Sequence, residues 1–303
     1  MGYFDLQVNG YGGVDFNQDD LSADDLHRAC EHLRADGVDG VLVTIVSEHL
    51  DRMCARLRRV VDLRQRDPLV SEVVAGLHIE GPFLSGIDGY RGAHPADAVH
   101  PADLAQAQRL VEAAGGLAKI VTLAPELDAG QRVIRWLVGQ GIVVSAGHCN
   151  PSGEELDAAL DAGLSMFTHL GNGCPMLLPR HENIVHRVLS RADRLWIGFI
   201  ADGVHVEIEA LRHYLQWAGI EHSFVVTDAI APAGLGPGRY RISRWDIQIG
   251  EELAARSPDG THLLGSACTM KRSETNLTDH VGLSAIDAHR LLCVNPRRAI
   301  GLA

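Results

Sequence analysis

Four side chains with metal-binding or acid–base chemistry each stand where a short apolar segment of the sequence ends. They are Glu80, His148, His169 and Asp228. Carboxylates and neutral imidazoles bind divalent metals, and both can move protons near neutral pH. One carboxylate with two imidazoles is a three-ligand set for a borderline metal such as zinc, and it leaves one coordination position for water. The residue types therefore indicate a hydrolytic metal centre, provided that the fold brings the four side chains together.

Each of these residues, taken alone, also has a plainer interpretation. Glu80 precedes Gly81 and Pro82, and a carboxylate there could simply cap a turn. A lone histidine on an apolar segment is more often a hydrogen-bonded core residue than a ligand, and Asp228 could be another turn carboxylate. The functional interpretation makes Asp228 a general base. A bound metal lowers the pKa of a water towards ~7, and an adjacent carboxylate can take the proton and later pass it to a leaving amine.

The segments that lead into these residues predict the fold. Short β-branched runs alternate with amphipathic stretches, which is typical of repeated strand–helix units. Eight strands favour an α/β fold of the closed (β/α)8 TIM barrel type over a doubly wound sheet, since no Gly-x-Gly-x-x-Gly motif follows the first strand. In such a barrel the carboxyl ends of all the strands open on one face, and the functional residues lie there. The predicted strands cover residues 3–8, 40–46, 73–79, 118–123, 142–146, 165–168, 195–200 and 224–227.

Helices and a hairpin complete the predicted domain. The whole chain, residues 1–303, is expected to form one barrel domain, because no repeat, low-complexity tract or Pro/Ser linker marks a boundary. A Gly- and Pro-rich stretch with alternating apolar residues predicts a β-hairpin insertion at about 234–264. The predicted helices cover residues 23–35, 50–66, 101–114, 129–139, 153–162, 183–190, 206–218 and about 270–280.

Composition excludes several classes of protein. The chain has 303 residues, 46% of them hydrophobic, and 27 basic against 39 acidic residues give a formal net charge of −12. That balance offers no broad basic surface, so nucleic acid is not an expected partner. No apolar run is long enough to span a membrane, and the first residues lack a signal-peptide pattern. The six cysteines form no CxxC pair, so we expect reduced thiols and a cytoplasmic location.

Short motifs in chain order carry a resemblance to a known family. They include residues 5–10 and 13–16, the run 76–83 followed by Gly92-Ala93-His94, residues 146–148 and 168–172, 202–205, 227–229, and Gly265-Ser266 with Met270. Together they resemble the amidohydrolase superfamily, and within it the N-acetylglucosamine-6-phosphate deacetylase family. Many amidohydrolases carry His-x-His on the first strand, whereas Gln7 and Asn9 stand there in this chain, as is characteristic of that family.

The resemblance implies specific roles. Glu80, His148 and His169 would hold one divalent metal, expected to be a single Zn²⁺, and Asp228 would be the catalytic acid and base. The substrate would be a small molecule, an N-acetylated amino sugar, in phosphorylated form. A homodimer is expected, because Arg180 at the matching position commonly reaches a neighbouring subunit's site. The substrate contacts that the resemblance implies are Ala93, His94, Asn172, Gly173, Arg180, His205, Leu263, Leu264 and Gly265.

Two departures from the family pattern leave alternatives open. The family has Asn-Ala-Met and then Arg-x-Pro-Gly after the strand-six histidine, but this chain has Asn172-Gly173-Cys174 and then Arg180-His181. The family also carries a small β-sandwich beside the barrel, and the sequence predicts a barrel without it. A related amide or cyclic-amide hydrolase with another substrate is therefore a second hypothesis. A non-catalytic module that binds a sugar phosphate is a third, less favoured because all four chemical residues are present.

Overall fold

The β-branched segments form a ring of parallel strands in the computed structural model, which describes residues 1–242, 245–256 and 263–302. The strands are β1 Tyr3–Val8, β2 Gly10–Tyr11, β3 Val14–Asp15, β4 Val38–Val46, β5 Val74–Glu80, β6 Ala118–Leu123, β7 Val143–Ala146, β8 Met166–Phe167, β9 Trp196–Ile200, β10 Ser223–Val226, β11 Gly238–Ile242, β12 Trp245–Ile249, β13 Ala254–Arg256 and β14 Leu263–Ser266. Eight of them pair in the order β1–β4–β5–β6–β7–β8–β9–β10, each parallel to its neighbour.

The ring closes between its first and last strands. Val8 forms a parallel bridge to Ala229, just beyond β10. The backbone amides of Asn9 and Gly10 both donate to the carbonyl of Ala229, at 2.7 and 3.1 Å. Helices connect the successive strands, so the prediction of a (β/α)8 barrel is confirmed.

Amphipathic helices cover the outside of the ring. In α1, for example, Ser22 accepts from the Asp25 amide as N-cap, and Leu26 and Leu33 lie on the buried face. The helices are α1 Ala23–Ala35, α2 Leu50–Arg66, α3 Pro68–Val73, α4 Leu104–Ala113, α5 Arg132–Gly139, α6 Gly153–Asp161, α7 Ile184–Leu189, α8 Ile208–Ala218, α9 Met270–Thr275, α10 Ala285–His289 and α11 Asn295–Ala299, with 3₁₀ turns at Pro125–Leu127, Ala129–Gln131, Ala192–Arg194 and Ile220–His222 and π-helical segments at Asn276–Val281 and Arg290–Val294.

Three α-helices are absent from the sequence-based prediction: α10 and α11 near the C-terminus, and the short α3 before β5. The predicted third strand begins at residue 73, whereas Pro68–Val73 is helical and the strand begins at Val74. Asp67 caps this helix by accepting from the Val70 amide, and Pro68 occupies the first turn, where its missing N–H costs nothing. The apolar residues of so short a helix have no clear period, which is why they resemble the start of a strand.

A layer of hydrogen-bonded polar side chains crosses the barrel interior above its apolar core. The buried ring of His78 donates from Nδ1 to the carbonyl of Leu6 at 3.0 Å, so its Nε2 accepts from the Thr122 hydroxyl at 2.7 Å. Thr168 then donates to Thr122 at 2.8 Å, and Ser145 to Thr168 at 2.6 Å. Burial lowers the pKa of His78 to about 4, which keeps the ring neutral. This chain of hydrogen bonds ties five strand regions together just below the strand ends.

An antiparallel sheet of four strands, β11–β12–β13–β14, follows the barrel strand β10. Its small apolar core includes Ile230, Ile247 and Ile249. Part of the predicted 234–264 insertion, at residues 243–244 and 257–262, lies outside the described residues. Within the residues that the structure describes, no helix is long and apolar enough to cross a membrane.

Candidate metal centre and active site

Glu80, His148 and His169 meet at one point at the mouth of the barrel. Glu80 is the last residue of β5, and each histidine lies two residues beyond its strand, β7 or β8. The Nε2 atoms of both imidazoles lie 3.2 Å from the same oxygen, Oε1 of Glu80. All three residues are buried, with exposed fractions of 2% for Glu80, 7% for His148 and 3% for His169. One ligand atom from each lies within 4.8 Å of the others.

The hydrogen bonds of His148 show that this arrangement suits a cation. Its Nδ1 lies 3.0 Å from the carbonyl oxygen of Tyr90, which can only accept, so Nδ1 carries a proton. A neutral His148 ring therefore presents a lone pair on Nε2 to the carboxylate of Glu80. Two electron-rich atoms at 3.2 Å need a positive charge between or beside them. A divalent metal bound by both Nε2 atoms and the carboxylate would supply that charge, with the Tyr90 carbonyl orienting the ring.

Burial and the neighbouring imidazoles act in opposite directions on Glu80. Burial alone would raise the pKa of Glu80, but the adjacent rings of His148 and His169 hold it well below its usual range. Burial alone would lower the pKa of His169, but the same contact with Glu80 raises it. The cluster therefore retains a carboxylate, which is the protonation state that a metal requires.

The backbone at these strand ends adopts an uncommon conformation. His148, His169 and Asp228 have φ angles of 51°, 34° and 49°, in the left-handed region. Non-glycine residues enter that region rarely, and such strain concentrates at functional sites. The three strands thus end in the same kind of sharp turn, directly at the candidate metal centre.

Two glycines make room for the ring of His148. A Cβ atom on Gly92 would lie 3.0 Å from Cε1 of His148, and one on Gly173 would lie 3.0 Å from Nδ1. Both glycines also have positive φ angles, of 61° and 59°. Gly173, which the resemblance assigns to the substrate, thus has a packing role against this candidate ligand as well.

Asp228 lies beside the cluster and is oriented by two amides. Asn9 donates from Nδ2 to Oδ1 of Asp228 at 2.7 Å, and Gln7 donates from Nε2 to the same oxygen at 3.1 Å. Gln7 also donates to Oε1 of Glu80 at 3.0 Å, so one amide bridges the two carboxylates. Burial raises the pKa of Asp228, and the negative charge of Glu80 adds to this. Oδ1 is thereby occupied, and Oδ2 accepts from no side chain that the structure describes.

Asp5 supports this arrangement, although the sequence does not single it out as a site residue. Its buried carboxylate accepts from the hydroxyl of Thr227 at 2.5 Å and from the backbone amide of Gln7 at 3.1 Å. It therefore joins the end of β10, just before Asp228, to β1 on the opposite side of the barrel seam. Its place in the motif around Gln7 and Asn9 is the available signal, but nothing in the sequence shows the contact with Thr227.

The other predicted substrate residues lie on several loops and on β14, and three of them belong to loops around the cluster. The ring of His94 is buried against His148, with 3.3 Å between their Nε2 atoms. Asn172 donates from its backbone amide to the carbonyl of His169 at 3.0 Å. The ring of His205 is paired with Asp202, with 2.6 Å between Nδ1 and Oδ2. These side chains belong to loops that directly contact the cluster or its neighbours.

The remaining predicted contacts lie at the rim or on the antiparallel sheet. Ala93 and Arg180 are exposed on their loops. Gly265 lies on β14, where a Cβ would be 3.3 Å from the carbonyl oxygen of Asp228. Leu263 is half-buried on the same strand, whereas the side chain of Leu264 lies outside the described residues. The structure thus gathers the ligand set, Asp228 and the residues around them, and Arg180 is exposed.

A parallel (β/α)8 barrel with a buried Glu–His–His cluster at its strand ends is the architecture of a metal-dependent hydrolase. No family model matches the chain. It is 32% identical over 314 residues to N-acetylglucosamine-6-phosphate deacetylase of Bos taurus, covering 99% of this chain and 74% of that protein. It is 29% identical over 300 residues to N-acetylgalactosamine-6-phosphate deacetylase of Escherichia coli O157:H7, covering 99% of this chain and 77% of that protein.

Solved structures agree with the sequence comparison. The N-acetyl-D-glucosamine-6-phosphate deacetylase of Mycobacterium smegmatis, an Asp-to-Ala variant in complex with N-acetyl-D-glucosamine-6-phosphate, superimposes with a TM-score of 0.87 at 30% identity. The alignment covers 99% of this chain and 77% of that one. The chain belongs to the N-acetylglucosamine-6-phosphate deacetylase family of amidohydrolases.

Proposed function

We propose that this protein hydrolyses the N-acetyl amide of an amino sugar 6-phosphate, with N-acetylglucosamine 6-phosphate as its principal substrate and glucosamine 6-phosphate and acetate as products. The observation that carries the proposal is the convergence of Glu80, His148 and His169 beside Asp228, whose Oδ2 accepts from none of the described side chains. The bovine and mycobacterial relatives, named for this reaction, support the choice of substrate.

We propose a single Zn²⁺ as the cofactor. Two imidazoles and one carboxylate are a common zinc set in hydrolases, and they leave a position open for chemistry. A second metal beside Glu80 and Asp228 would need ligands from β1, where Gln7 and Asn9 instead direct amide N–H groups at the carboxylates. These neutral donors satisfy Asp228 without another cation.

The chain's own residues then perform the proton transfers. When bound, the metal supplies Lewis acidity that activates a water and polarises the amide oxygen of the substrate. Asp228 takes the proton of the attacking water on Oδ2, because Oδ1 is occupied by Asn9 and Gln7. Water oxygen bonds to the acetyl carbon, and the C–N bond then breaks. Asp228 returns the proton to the sugar nitrogen, so that the amine leaves as a neutral group.

The experiment that tests this function measures acetate release from N-acetylglucosamine 6-phosphate by the zinc-loaded protein. Asp228→Asn keeps a similar shape but cannot accept a proton, and we expect at least a ~10³-fold loss of kcat with zinc content unchanged. Asp193→Asn changes an exposed aspartate and is the matched control. Wild-type kcat in Asp228→Asn would refute the role of Asp228, and no acetate from the wild-type protein would refute the function.

The relative from Escherichia coli O157:H7 supports a second candidate, an N-acetylgalactosamine 6-phosphate deacetylase. The two sugars differ at one hydroxyl, so kcat/KM measured on both, and on the forms without phosphate, separates the candidates. Cyclic amides belong in the same panel, because the altered loop around Gly173 leaves that class open. Binding of a sugar phosphate with no acetate released would favour the non-catalytic module.

Assembly and location complete the proposal. We expect a homodimer in the cytoplasm, with the exposed loop of Arg180, Met176 and Leu177 at the subunit contact. Met176 and Leu177 are 99% and 92% exposed, which is unusual for apolar side chains next to an active site. Light scattering coupled to size-exclusion chromatography tests the dimer, and a monomer would contradict it.

A further inference from the structure

Asp202 and His205 form a buried pair that begins two residues beyond the barrel strand β9. The side chains are 1% and 6% exposed. Oδ2 of Asp202 lies 2.6 Å from Nδ1 of His205. Oδ1 accepts from the backbone amides of Val204 and His205, at 2.9 and 2.8 Å. The two oxygens thus have separate roles, since Oδ1 shapes the turn and Oδ2 holds the imidazole.

The pair lies beside the candidate active site. The adjacent Val206 packs against the loop after His169, where a Cβ on Gly171 would lie 2.9 Å from the Val206 side chain. The loop that carries His205 is therefore packed against the loop that follows the candidate ligand His169.

The carboxylate determines which nitrogen of His205 is protonated. A carboxylate can only accept, so Nδ1 of His205 must carry a hydrogen. Nε2 is then the nitrogen left to contact other groups. Burial alone would raise the pKa of Asp202, but the hydrogen bonds from the His205 ring and from the backbone amides of Val204 and His205 lower it, so the carboxylate stays ionised.

We propose that Asp202 is a positioning residue for the deacetylase reaction: it fixes the ring orientation and the Nδ1-protonated form of His205, so that Nε2 contacts the bound amino sugar phosphate. The inference rests on the proposed function for its effect on turnover. It does not require Asp202 to touch the substrate or the metal, because three donors already occupy its two oxygens.

Asp202→Asn is the variant that separates the two roles of the carboxylate. The Asn oxygen can still accept from the two backbone amides, which preserves the turn. Its NH₂ group replaces Oδ2 and can only donate, so Nδ1 of His205 must become the acceptor and the proton moves to Nε2. We expect kcat/KM to fall roughly 10- to 100-fold, in the range found for partners that orient active-site histidines, with zinc content unchanged.

A double-mutant cycle shows whether Asp202 acts through His205. The four proteins are the wild type, Asp202→Asn, His205→Ala and the double variant, all zinc-loaded. A positioning role predicts that Asp202→Asn lowers kcat/KM in the wild type but changes it less than ~2-fold in His205→Ala. An equal loss in both backgrounds would mean that Asp202 acts only through the turn, and would overturn the proposal.

Asp128→Asn is the matched control for a buried aspartate. Asp128 is 3% exposed and accepts from the backbone amides of Val133 and Ile134, at 3.1 and 2.9 Å, but pairs with no histidine among the described residues. We expect Asp128→Asn to lower Tm without lowering kcat/KM. An equal loss of kcat/KM there would assign the Asp202 effect to general destabilisation.

Nitrogen NMR of the imidazole rings gives a readout that does not depend on turnover. The ¹⁵N shifts of the ring assigned to His205 should report a proton on Nδ1 in the wild type and on Nε2 in Asp202→Asn. An unchanged protonation pattern would refute the proposal. If the wild-type protein releases no acetate from any sugar, the proposed function fails, while the NMR result still decides whether Asp202 sets the His205 tautomer.

Discussion

The side-chain amide of Asn9 donates to Oδ1 of Asp228 at 2.7 Å, across the seam where the first and last barrel strands meet. On the same seam the backbone amide of Asn9 donates to the carbonyl of Ala229. One residue thus takes part in closing the barrel and in orienting the proposed base. Any change that opens the seam should also misalign Asp228, so the integrity of the ring and the chemistry of the site are coupled.

Replacing Asn9 by Ala should lower turnover without releasing zinc. A hydrogen bond from a buried amide to a charged group contributes about 1.5–3 kcal/mol, and its loss lets Asp228 rotate away from the attacking water. We therefore expect kcat to fall by roughly 10- to 100-fold. Asn9 donates to none of the three candidate ligands in the described structure, so zinc content measured by mass spectrometry should stay the same. Wild-type kcat would show that Asn9 does not orient Asp228.

Replacing Gln7 by Leu should affect both metal binding and turnover, because its Nε2 donates to Glu80 as well as to Asp228. A Leu in this place leaves two carboxylates facing each other without a donor between them. We expect roughly 10-fold weaker zinc binding in a chelator competition, together with a lower kcat at saturating zinc. Gln108→Leu, an exposed position on α4, is the matched control. Unchanged zinc affinity would contradict the bridging role.

Replacing Gly173 by Ala should weaken zinc binding by crowding the ring of His148. The new Cβ would lie 3.0 Å from Nδ1, against the hydrogen bond to Tyr90. Gly130→Ala is the matched control: its φ of 68° imposes similar backbone strain of about 1–2 kcal/mol, but the added Cβ meets no described atom within 4 Å beyond its chain neighbours. Both variants should lose Tm, whereas only Gly173→Ala should lose zinc affinity. Equal zinc affinities in Gly173→Ala and Gly130→Ala would contradict the packing role of Gly173.

Thiol labelling should find one reactive cysteine in the folded protein. Cys174 is half-buried, whereas the other five cysteines are at most 2% exposed. Burial raises the pKa of the Cys174 thiol above its usual value of 9.0. The reactive thiolate is therefore a small fraction at neutral pH and grows as pH rises, so the labelling rate should increase about 10-fold per unit between ~pH 7 and ~pH 9. Cys174→Ser should abolish the labelling, and a labelling rate that is independent of pH would contradict the raised pKa of Cys174.

The local sequence determined the positions of the strands and of the polar residues at their ends. Apolar runs predicted the strands, and the polar residue that ends each run predicted Glu80, His148, His169 and Asp228 as a group. The strands and the meeting of Glu80, His148 and His169 were predictable because strand periodicity and strand ends are local properties, and a parallel barrel places those ends on one face. The short helix Pro68–Val73 was missed because six residues cannot display a helical period.

Only the tertiary structure determined which side chains form hydrogen bonds with each other. Asn9 and Asp228 are 219 positions apart, and the Asp5–Thr227 contact spans 222 positions. No local pattern encodes such contacts, because they exist only once the ring has closed and the backbone of β1 lies against that of β10. The sequence thus determined the set of chemical groups and the fold that collects them, whereas closure of the barrel decided which oxygen of Asp228 accepts from Asn9 and Gln7.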